Sequence, residues 1–149
     1  MKYAHSIKLN VFSKEEDNFD AVLKKFLEFF PFDLEKEKIG LRKNIASGFE
    51  DKKIIILEAA LAKDKHIKEF LKNLLKNLGA EEKAIILKQA ESRLDKNLDF
   101  FLRFDKDELI KNNKLILTDS GNCFHMRISI AAFPKKREAA LETLKNIFS

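Results

Sequence analysis

Apolar and polar residues alternate in several stretches of the chain, and this period of two predicts β-strands with one buried face. In residues 123–133, Phe124 and Met126 fall on one side of such a strand, while His125 and Arg127 fall on the other. Further strands are predicted at residues 3–12, near 39–45, at 53–61, at 98–105 and at 115–117. The strand predicted at 53–61 is apolar almost throughout, which indicates a central position in the sheet.

The strand predicted at 98–105 places an aromatic ring beside a guanidinium. Its inward residues are expected to be Leu98, Phe100, Leu102 and Phe104, and its outward residues Asp99, Phe101, Arg103 and Asp105. Phe101 and Arg103 therefore share the outer face of one strand, and His125 and Arg127 share the outer face of another. If both strands turn that face away from the helices, the four side chains form one surface.

A period near 3.6 predicts helices between the strands. Helices are expected over residues 13–30, 67–78 and 81–95 and after Pro134. Ser13 and Glu16 form a capping box for the first of them, and Gly79 is placed to end the second in a left-handed conformation. The turn-forming residues 119–122 are expected to join the last two strands as a hairpin.

These elements predict an α+β fold, a two-layer sandwich in which a mostly antiparallel sheet carries its helices on one face. Residues 1–149 are expected to form a single domain, since a chain of 149 residues can bury one sizeable core. The single cysteine, Cys123, excludes an internal disulfide. The start MKYAHSIKLNVFS lacks an apolar signal core and no stretch is apolar enough to span a membrane, so we expect a cytoplasmic protein.

Catalytic and metal-binding patterns are weak in this sequence. It contains neither the phosphate-loop pattern G-x-x-x-x-G-K-[ST] nor the dinucleotide pattern G-x-G-x-x-G. His5, His66 and His125 fall on different predicted elements, and no histidine or cysteine pair has metal-ligand spacing. We therefore expect no enzyme activity, no metal site and no cofactor.

The charge balance favours an anionic partner. The formal net charge is +5, and a basic surface gains free energy by displacing the counterions of a phosphate backbone. On the predicted outer face, Arg103 and Arg127 could hold phosphates while Phe101 stacks on a base, with His125 beside it. The alternative for Arg103 is an ion pair with an aspartate of its own strand, and the sequence leaves both readings open.

A second cationic group, Lys135, Lys136 and Arg137, lies at the predicted start of the last helix. The positive end of the helix dipole disfavours cations there by a few tenths of a kcal/mol per charge. A bound anion would reverse that effect, because free main-chain amides and three cations together suit a phosphate. The alternative is that the three side chains extend into solvent, where salt screens the repulsion.

Three blocks of the sequence resemble successive signature blocks of an archaeal family described as RNA-binding proteins and predicted exosome subunits. The blocks are ILEAALAKDKHIKEFLKNLLKNL, SRLDKNLDFFLRFDKDEL and HMRISIAAFPKKREAALETL, and the resemblance covers about residues 54–146. Its most specific piece is Leu102 to Lys106, which resembles the family's Leu-Arg-x-Asp-Lys. The chain departs from the family pattern at Asn122, where an aspartate is usual, and at Asp107, where glutamine is frequent.

The resemblance implies an α+β fold similar to that of the ribosomal protein that holds the small ribosomal RNA in the large subunit. It also implies RNA as the partner, in RNA processing with the exosome or in ribosome-related work. Because Lys106 is the last residue of the Leu102 to Lys106 motif, it is expected to contact phosphate, as the other cations are. The alternative function is a homodimeric interaction module, in which the open sheet face packs against a second copy and hides Phe101.

Overall fold

The computed structural model describes residues 1–149 apart from the side chain of Phe49. Its strands are β1 (Ala4–Lys14), β2 (Arg42–Ser47), β3 (Lys53–Leu61), β4 (Asp99–Asp105) and β5 (Cys123–Ile130). Its α-helices are α1 (Phe19–Glu28), α2 (Asp64–Asn77), α3 (Ala80–Lys88), α4 (Ala90–Arg93), α5 (Lys106–Asn112) and α6 (Arg137–Phe148). The strands form one antiparallel sheet in the order β2-β3-β1-β5-β4, which confirms the predicted α+β class.

The central strand β1 shows how the pattern of the sequence builds the sheet. Ile7, Leu9 and Val11 are buried on one side, while Lys8 and Asn10 are only partly buried on the other. The neighbouring strands follow the same alternation, because the antiparallel register places like-facing residues side by side. The sheet therefore has one apolar face and one polar face.

Helices α1, α2 and α6 pack over the apolar face. Phe29, directly after α1, approaches Phe104 and Phe124 of the sheet, with ring centroids 6.3 and 5.5 Å apart. Phe148 of α6 lies 6.1 Å from Phe100 in the same way. These rings belong to one hydrophobic core, and burial of each contributes roughly 2–3 kcal/mol before conformational entropy is counted.

The two edges of the sheet differ. Beside β4, Leu94 bridges to Phe100 and Leu117 bridges to Phe104, so short segments cover that edge. The other edge strand, β2, is exposed along its whole length, and Ile45 is its most exposed apolar side chain. Any strand added to the sheet would therefore meet β2 first.

The start of α1 differs from the prediction. Strand β1 continues to Lys14 and buries Ser13, so the expected capping box at Ser13 is wrong. The helix begins at Phe19 instead, where the side chain of Asn18 accepts a hydrogen bond from the Ala21 amide at 3.2 Å. Tertiary burial of the serine outweighed its local preference for a helix start.

Three connections also differ from the prediction. Gly79 has a φ of −71°, so it does not end α2 in a left-handed conformation, and the helix expected over 81–95 divides into α3 and α4 at Gln89. The expected hairpin between 115–117 and 123–133 is wrong, because β5 pairs with β4 and Leu117 lies along the opposite side of β4.

Helix α5 was not predicted, since most of its residues are polar.

Candidate nucleic-acid interface

The polar face of the sheet, which we call the open face, carries two neighbouring rows of side chains across β1, β5 and β4. The rows are Lys8, Arg127 and Phe101, and beside them Asn10, His125 and Arg103. Adjacent strands of a sheet lie about 4.8 Å apart, so these side chains are close neighbours. The structure thus brings together the four residues that the alternation of β4 and β5 placed outward.

Arg103 extends from the open face into solvent. Its Nη1 donates to the main-chain oxygen of Asp119 at 3.2 Å. The aspartates of its own strand have other partners, since Asp99 accepts from the Ser129 hydroxyl at 2.6 Å and Asp105 caps the first turn of α5. Within the described part of the chain, no carboxylate forms an ion pair with Arg103. Its positive charge is therefore available to a ligand.

Arg127 lies half-buried between Lys8 and Phe101 on the open face. Its Nε is shielded from solvent and has no hydrogen-bond partner among the described residues. An unsatisfied buried donor costs about 1–3 kcal/mol, so small movements that let a ligand accept from this side chain are favourable. Arg127 is a second cation of the open face without a carboxylate partner in the described structure.

Two other cations of this face, Lys8 and Arg42, are partly neutralised. Glu58 of β3 lies 3.3 Å from the ammonium of Lys8 and 3.9 Å from the guanidinium of Arg42. The single carboxylate of Glu58 therefore neutralises part of the charge of two cations on the β2 side of the sheet. The uncompensated charge is concentrated on β4 and β5, at Arg103 and Arg127.

His125 stands between these two arginines and beside Phe101. The two rings have centroids 5.7 Å apart and planes inclined at 36°. Burial lowers the pKa of His125, and the charges of Arg103, Arg127 and Lys8 lower it further. The imidazole is therefore neutral at pH 7, and it extends the aromatic surface of Phe101 without adding a charge.

Lys106 does not belong to this surface, and its expected contact with phosphate is wrong. The residue is 1 % exposed, and its Nζ donates to the Phe12 carbonyl at 2.8 Å and to Asp17 Oδ2 at 2.7 Å. The alternation of β4 continues through Phe104 to Lys106, which turns the lysine inward. Its charge stabilises the end of β1 and the loop that follows.

The three cations at the start of α6 have different positions. Arg137 donates through Nη1 to the Leu94 carbonyl at 3.0 Å and through Nη2 to the Glu91 carbonyl, so it holds the end of α4. This makes Arg137 a structural residue, not the expected free phosphate contact. Lys135 and Lys136 are exposed, and Lys136, the N-cap residue of α6, makes no side-chain capping hydrogen bond with the described residues.

Among the described residues, no three histidine, cysteine, aspartate or glutamate side chains lie close enough to hold a metal ion. No helix in the described part of the chain has the length and apolar character needed to cross a membrane.

The family model for RNA-binding proteins matches residues 6–130. The chain belongs to this RNA-binding family. The matched range contains both rows of the open face, from Lys8 to Arg127, whereas Lys135 and Lys136 lie beyond it. Among characterised relatives, the RNA-binding protein PAB1135 of Pyrococcus abyssi is 25% identical over 142 residues, which cover 95% of this chain and 92% of the relative. The family resemblance read from the sequence is thus confirmed as far as RNA binding.

Solved structures of similar proteins share the fold. Protein AF2318 from Archaeglobus fulgidus superimposes with a TM-score of 0.81 at 24% identity, over 97% of this chain and 99% of that protein. Protein SSO0741 from Sulfolobus solfataricus superimposes with a TM-score of 0.75 at 25% identity, over 95% of this chain and 96% of that protein. The fold of these solved structures therefore extends over nearly the whole chain.

Two residues of the interface were missed from the sequence. Lys8 falls on the polar side of the β1 alternation, which was the signal for its place on the open face. Arg93 lies beside Phe101 and Arg103, and the sequence analysis did not assign it to this face. No local pattern relates Arg93 to the open face, because the contact depends on how α4 meets β4.

Proposed function

We propose that the chain is a non-catalytic RNA-binding protein that holds RNA against its open face. The observation that supports this most strongly is the pair of arginines without carboxylate partners, Arg103 and Arg127, next to the rings of Phe101 and His125. A guanidinium donates to phosphate oxygens through a planar fork. An exposed aromatic ring can stack on an unpaired base with little sequence preference.

Lys135 and Lys136 form a second contact in this proposal. They are exposed beside the N-terminus of α6, where free amides and the helix dipole favour an anion. Lys106 and Arg137 are excluded from the interface because their donors are already used within the protein. The proposed RNA contacts are therefore Phe101, Arg103, His125, Arg127, Lys135 and Lys136.

The cellular role we propose is RNA processing in the cytoplasm, with the exosome or ribosome-related particles as partners. The relative PAB1135 is named an RNA-binding protein, which supports RNA as the partner. The resemblance to predicted exosome subunits and to a ribosomal-protein fold supports a role in RNA processing or with ribosome-related particles. Crosslinking the protein to cellular RNA and sequencing the attached strands tests both parts. Recovery of precursor RNAs together with exosome subunits is expected, and recovery of no RNA contradicts the proposal.

The dependence of binding on salt tests the proposed interface. Each phosphate contact on a single strand contributes a slope of about −0.7 to a plot of log affinity against log salt. Replacing Lys135 and Lys136 together with glutamate is expected to reduce the steepness of that slope by about 1.4. Fluorescence anisotropy of a labelled single-stranded RNA at several salt concentrations measures both slopes.

A matched control carries the same change of charge on a different helix, outside the proposed contacts. Lys72 and Lys76 are exposed on α2, which packs over the apolar face. Their double replacement with glutamate is expected to leave the slope within about 0.3 of the parent value. Equal effects of the two double variants would show that net charge, and not the proposed contact, governs binding.

Binding is also expected to depend on pH through His125. In the free protein its pKa lies below the ordinary value of 6.5, because burial and three cations disfavour the protonated ring. A nearby RNA phosphate favours the protonated ring, so RNA should raise the pKa of His125 and affinity should increase as pH falls from 8 toward 6. NMR titration of the ring protons with and without RNA measures the shift, with His66 as an internal reference. An unchanged or lower pKa of His125 in the complex contradicts contact with phosphate.

The second candidate function is a homodimer formed through the same face. Phe12 is 49% exposed there and is paired in register with Ile56 of β3, which gives the face an apolar area next to its charges. Sedimentation equilibrium without RNA distinguishes the two functions. A mass that rises with concentration and is insensitive to salt supports the dimer, whereas a constant monomer mass removes it.

A further inference from the structure

A concavity of about 510 Å³ lies along the outer side of β4, where α3 and α4 meet the open face. It is lined by Gln89, Ser92, Arg93, Phe101, Arg103 and Asp119. Ligand sites in proteins commonly have volumes of roughly 300–1,000 Å³, so the space suits a group the size of a nucleotide. The concavity continues the open face around the edge of the sheet, since Phe101 and Arg103 belong to both.

Arg93 is held in a fixed orientation at this concavity. Its Nε and Nη2 donate to Gln89 Oε1 at 3.0 and 2.7 Å, and its Nη1 approaches the Phe101 carbonyl at 3.4 Å. These contacts use only part of the donor capacity of a guanidinium. No carboxylate forms an ion pair with Arg93 among the described residues.

The residues that line the concavity carry a net positive charge. Burial lowers the pKa of Arg93, the charge of Asp119 raises it, and the charge of Arg103 lowers it. The guanidiniums of Arg93 and Arg103 therefore repel each other across the concavity. Asp119 is the one carboxylate among the lining residues, against two arginines. A bound anion would relieve the repulsion between the arginines.

Phe101 supplies the apolar wall. Its ring is partly exposed between the concavity and His125, so one side of it can accept a flat group. A planar base against this ring and an anion between two guanidiniums are the two halves of a nucleotide. A free carboxylate or sulfate would use the arginines and leave the ring unoccupied.

We propose that this concavity binds one unpaired nucleotide of an RNA strand, with its base stacked on Phe101 and its phosphate between Arg93 and Arg103. The proposal rests on the proposed RNA-binding function and adds the class of RNA, which is single-stranded. In a duplex the bases remain stacked on one another, so none can reach Phe101. The protein therefore selects unpaired segments such as loops and ends.

The test compares a short single-stranded RNA with the same sequence in a duplex, for the parent protein and the Phe101→Leu variant. Leucine keeps an apolar side chain and removes the ring. Loss of the stacking contact is expected to weaken single-strand binding about tenfold and to leave any weak duplex binding unchanged. Phe12→Leu is the matched control, because Phe12 is exposed on the same face outside the concavity, and it is expected to bind single strands as the parent does.

A second measurement detects the stacked base directly. A fluorescent adenine analogue in the strand is expected to be quenched on binding to the parent and to Phe12→Leu, and to stay bright with Phe101→Leu. Arg93→Lys keeps the charge but removes the planar fork, and should weaken single-strand binding several-fold. Circular dichroism and thermal unfolding confirm that each variant is folded.

The outcomes separate this proposal from the function on which it rests. Preferential binding of single strands that is lost in Phe101→Leu supports the nucleotide site. Duplex binding equal to or tighter than single-strand binding, with no effect of Phe101→Leu, overturns the site and leaves RNA binding by the open face intact. Binding of neither RNA overturns the proposed function itself.

Discussion

Replacing Lys106 with methionine is expected to lower the free energy of unfolding by about 1.5–3 kcal/mol, the range for a hydrogen bond to a charged group. Methionine fills the same space but leaves the Phe12 carbonyl and the Asp17 carboxylate without their donor. The side chain of Asp17 is 19% exposed, so water partly replaces the lost contact and keeps the effect below that of a fully buried ion pair. Urea unfolding followed by circular dichroism measures the difference.

The control for this variant is Lys111→Met, an exposed position on the same helix. It is expected to change the free energy of unfolding by less than about 0.5 kcal/mol. A double-mutant cycle with Asp17→Asn then isolates the contact between Lys106 and Asp17. Equal destabilisation by Lys106→Met in the presence and absence of the Asp17 carboxylate would show that the contact with Asp17 contributes nothing, and that the lysine acts through the Phe12 carbonyl and packing.

The pH dependence of this variant follows from Asp17. Burial by itself raises the pKa of Asp17, but the hydrogen bonds from Lys106 and from the Lys14 amide, with the charges of both lysines, bring it below the ordinary 3.8. A carboxylate with a lowered pKa stabilises the fold above the unfolded value, and this contribution is lost as pH falls through the folded value. The difference between the parent and Lys106→Met should therefore be full at pH 6 and shrink below about pH 4.

The largest effect on binding is expected from Arg103→Gln combined with Arg127→Gln. Each arginine is expected to supply a charged hydrogen bond to phosphate, and loss of about 1.4 kcal/mol corresponds to a tenfold change in affinity. The double variant should thus bind single-stranded RNA about a hundredfold more weakly at low salt. Its salt slope should be less steep by about 1.4, since two phosphate contacts are removed.

The control for the double variant is Lys72→Gln with Lys76→Gln, which removes the same charge from the helical side. This control should bind within about twofold of the parent, because screening weakens charges farther away than roughly 8–10 Å. Anisotropy with one labelled strand compares all three proteins. Equal losses in the two double variants would contradict a binding site on the open face.

Elements with a strong local pattern were predicted well. The apolar run of β3 has the predicted bounds, Lys53–Leu61, and the outward residues of β4 were assigned correctly. Both follow from short-range periodicity, because a strand with one buried face must alternate. The positions of Phe101, Arg103, His125 and Arg127 on one face needed only that alternation and the antiparallel pairing of β4 with β5.

Features that depend on contacts between distant parts of the chain were not predicted. The partners of Lys106 lie 94 and 89 positions away in the sequence. The motif Leu102 to Lys106 contains no sign of them, so the lysine was predicted to contact phosphate at the surface. The parity of β4 did indicate an inward lysine, and Asp105 followed by Glu108 was a local signal for the start of α5. The concavity at Arg93 had no such signal, since α4 and residue Asp119 approach β4 only in the folded chain.

The two arginines of the open face stand on strands that are hydrogen-bonded to each other along β4 and β5. The spacing of their Cα atoms is therefore determined by the main-chain hydrogen bonds of the folded sheet. RNA would meet cations carried on a rigid backbone, and the protein would lose little backbone entropy on association. Most of the ordering would fall on the nucleic acid, so the stiffness of an RNA strand would decide how well it binds.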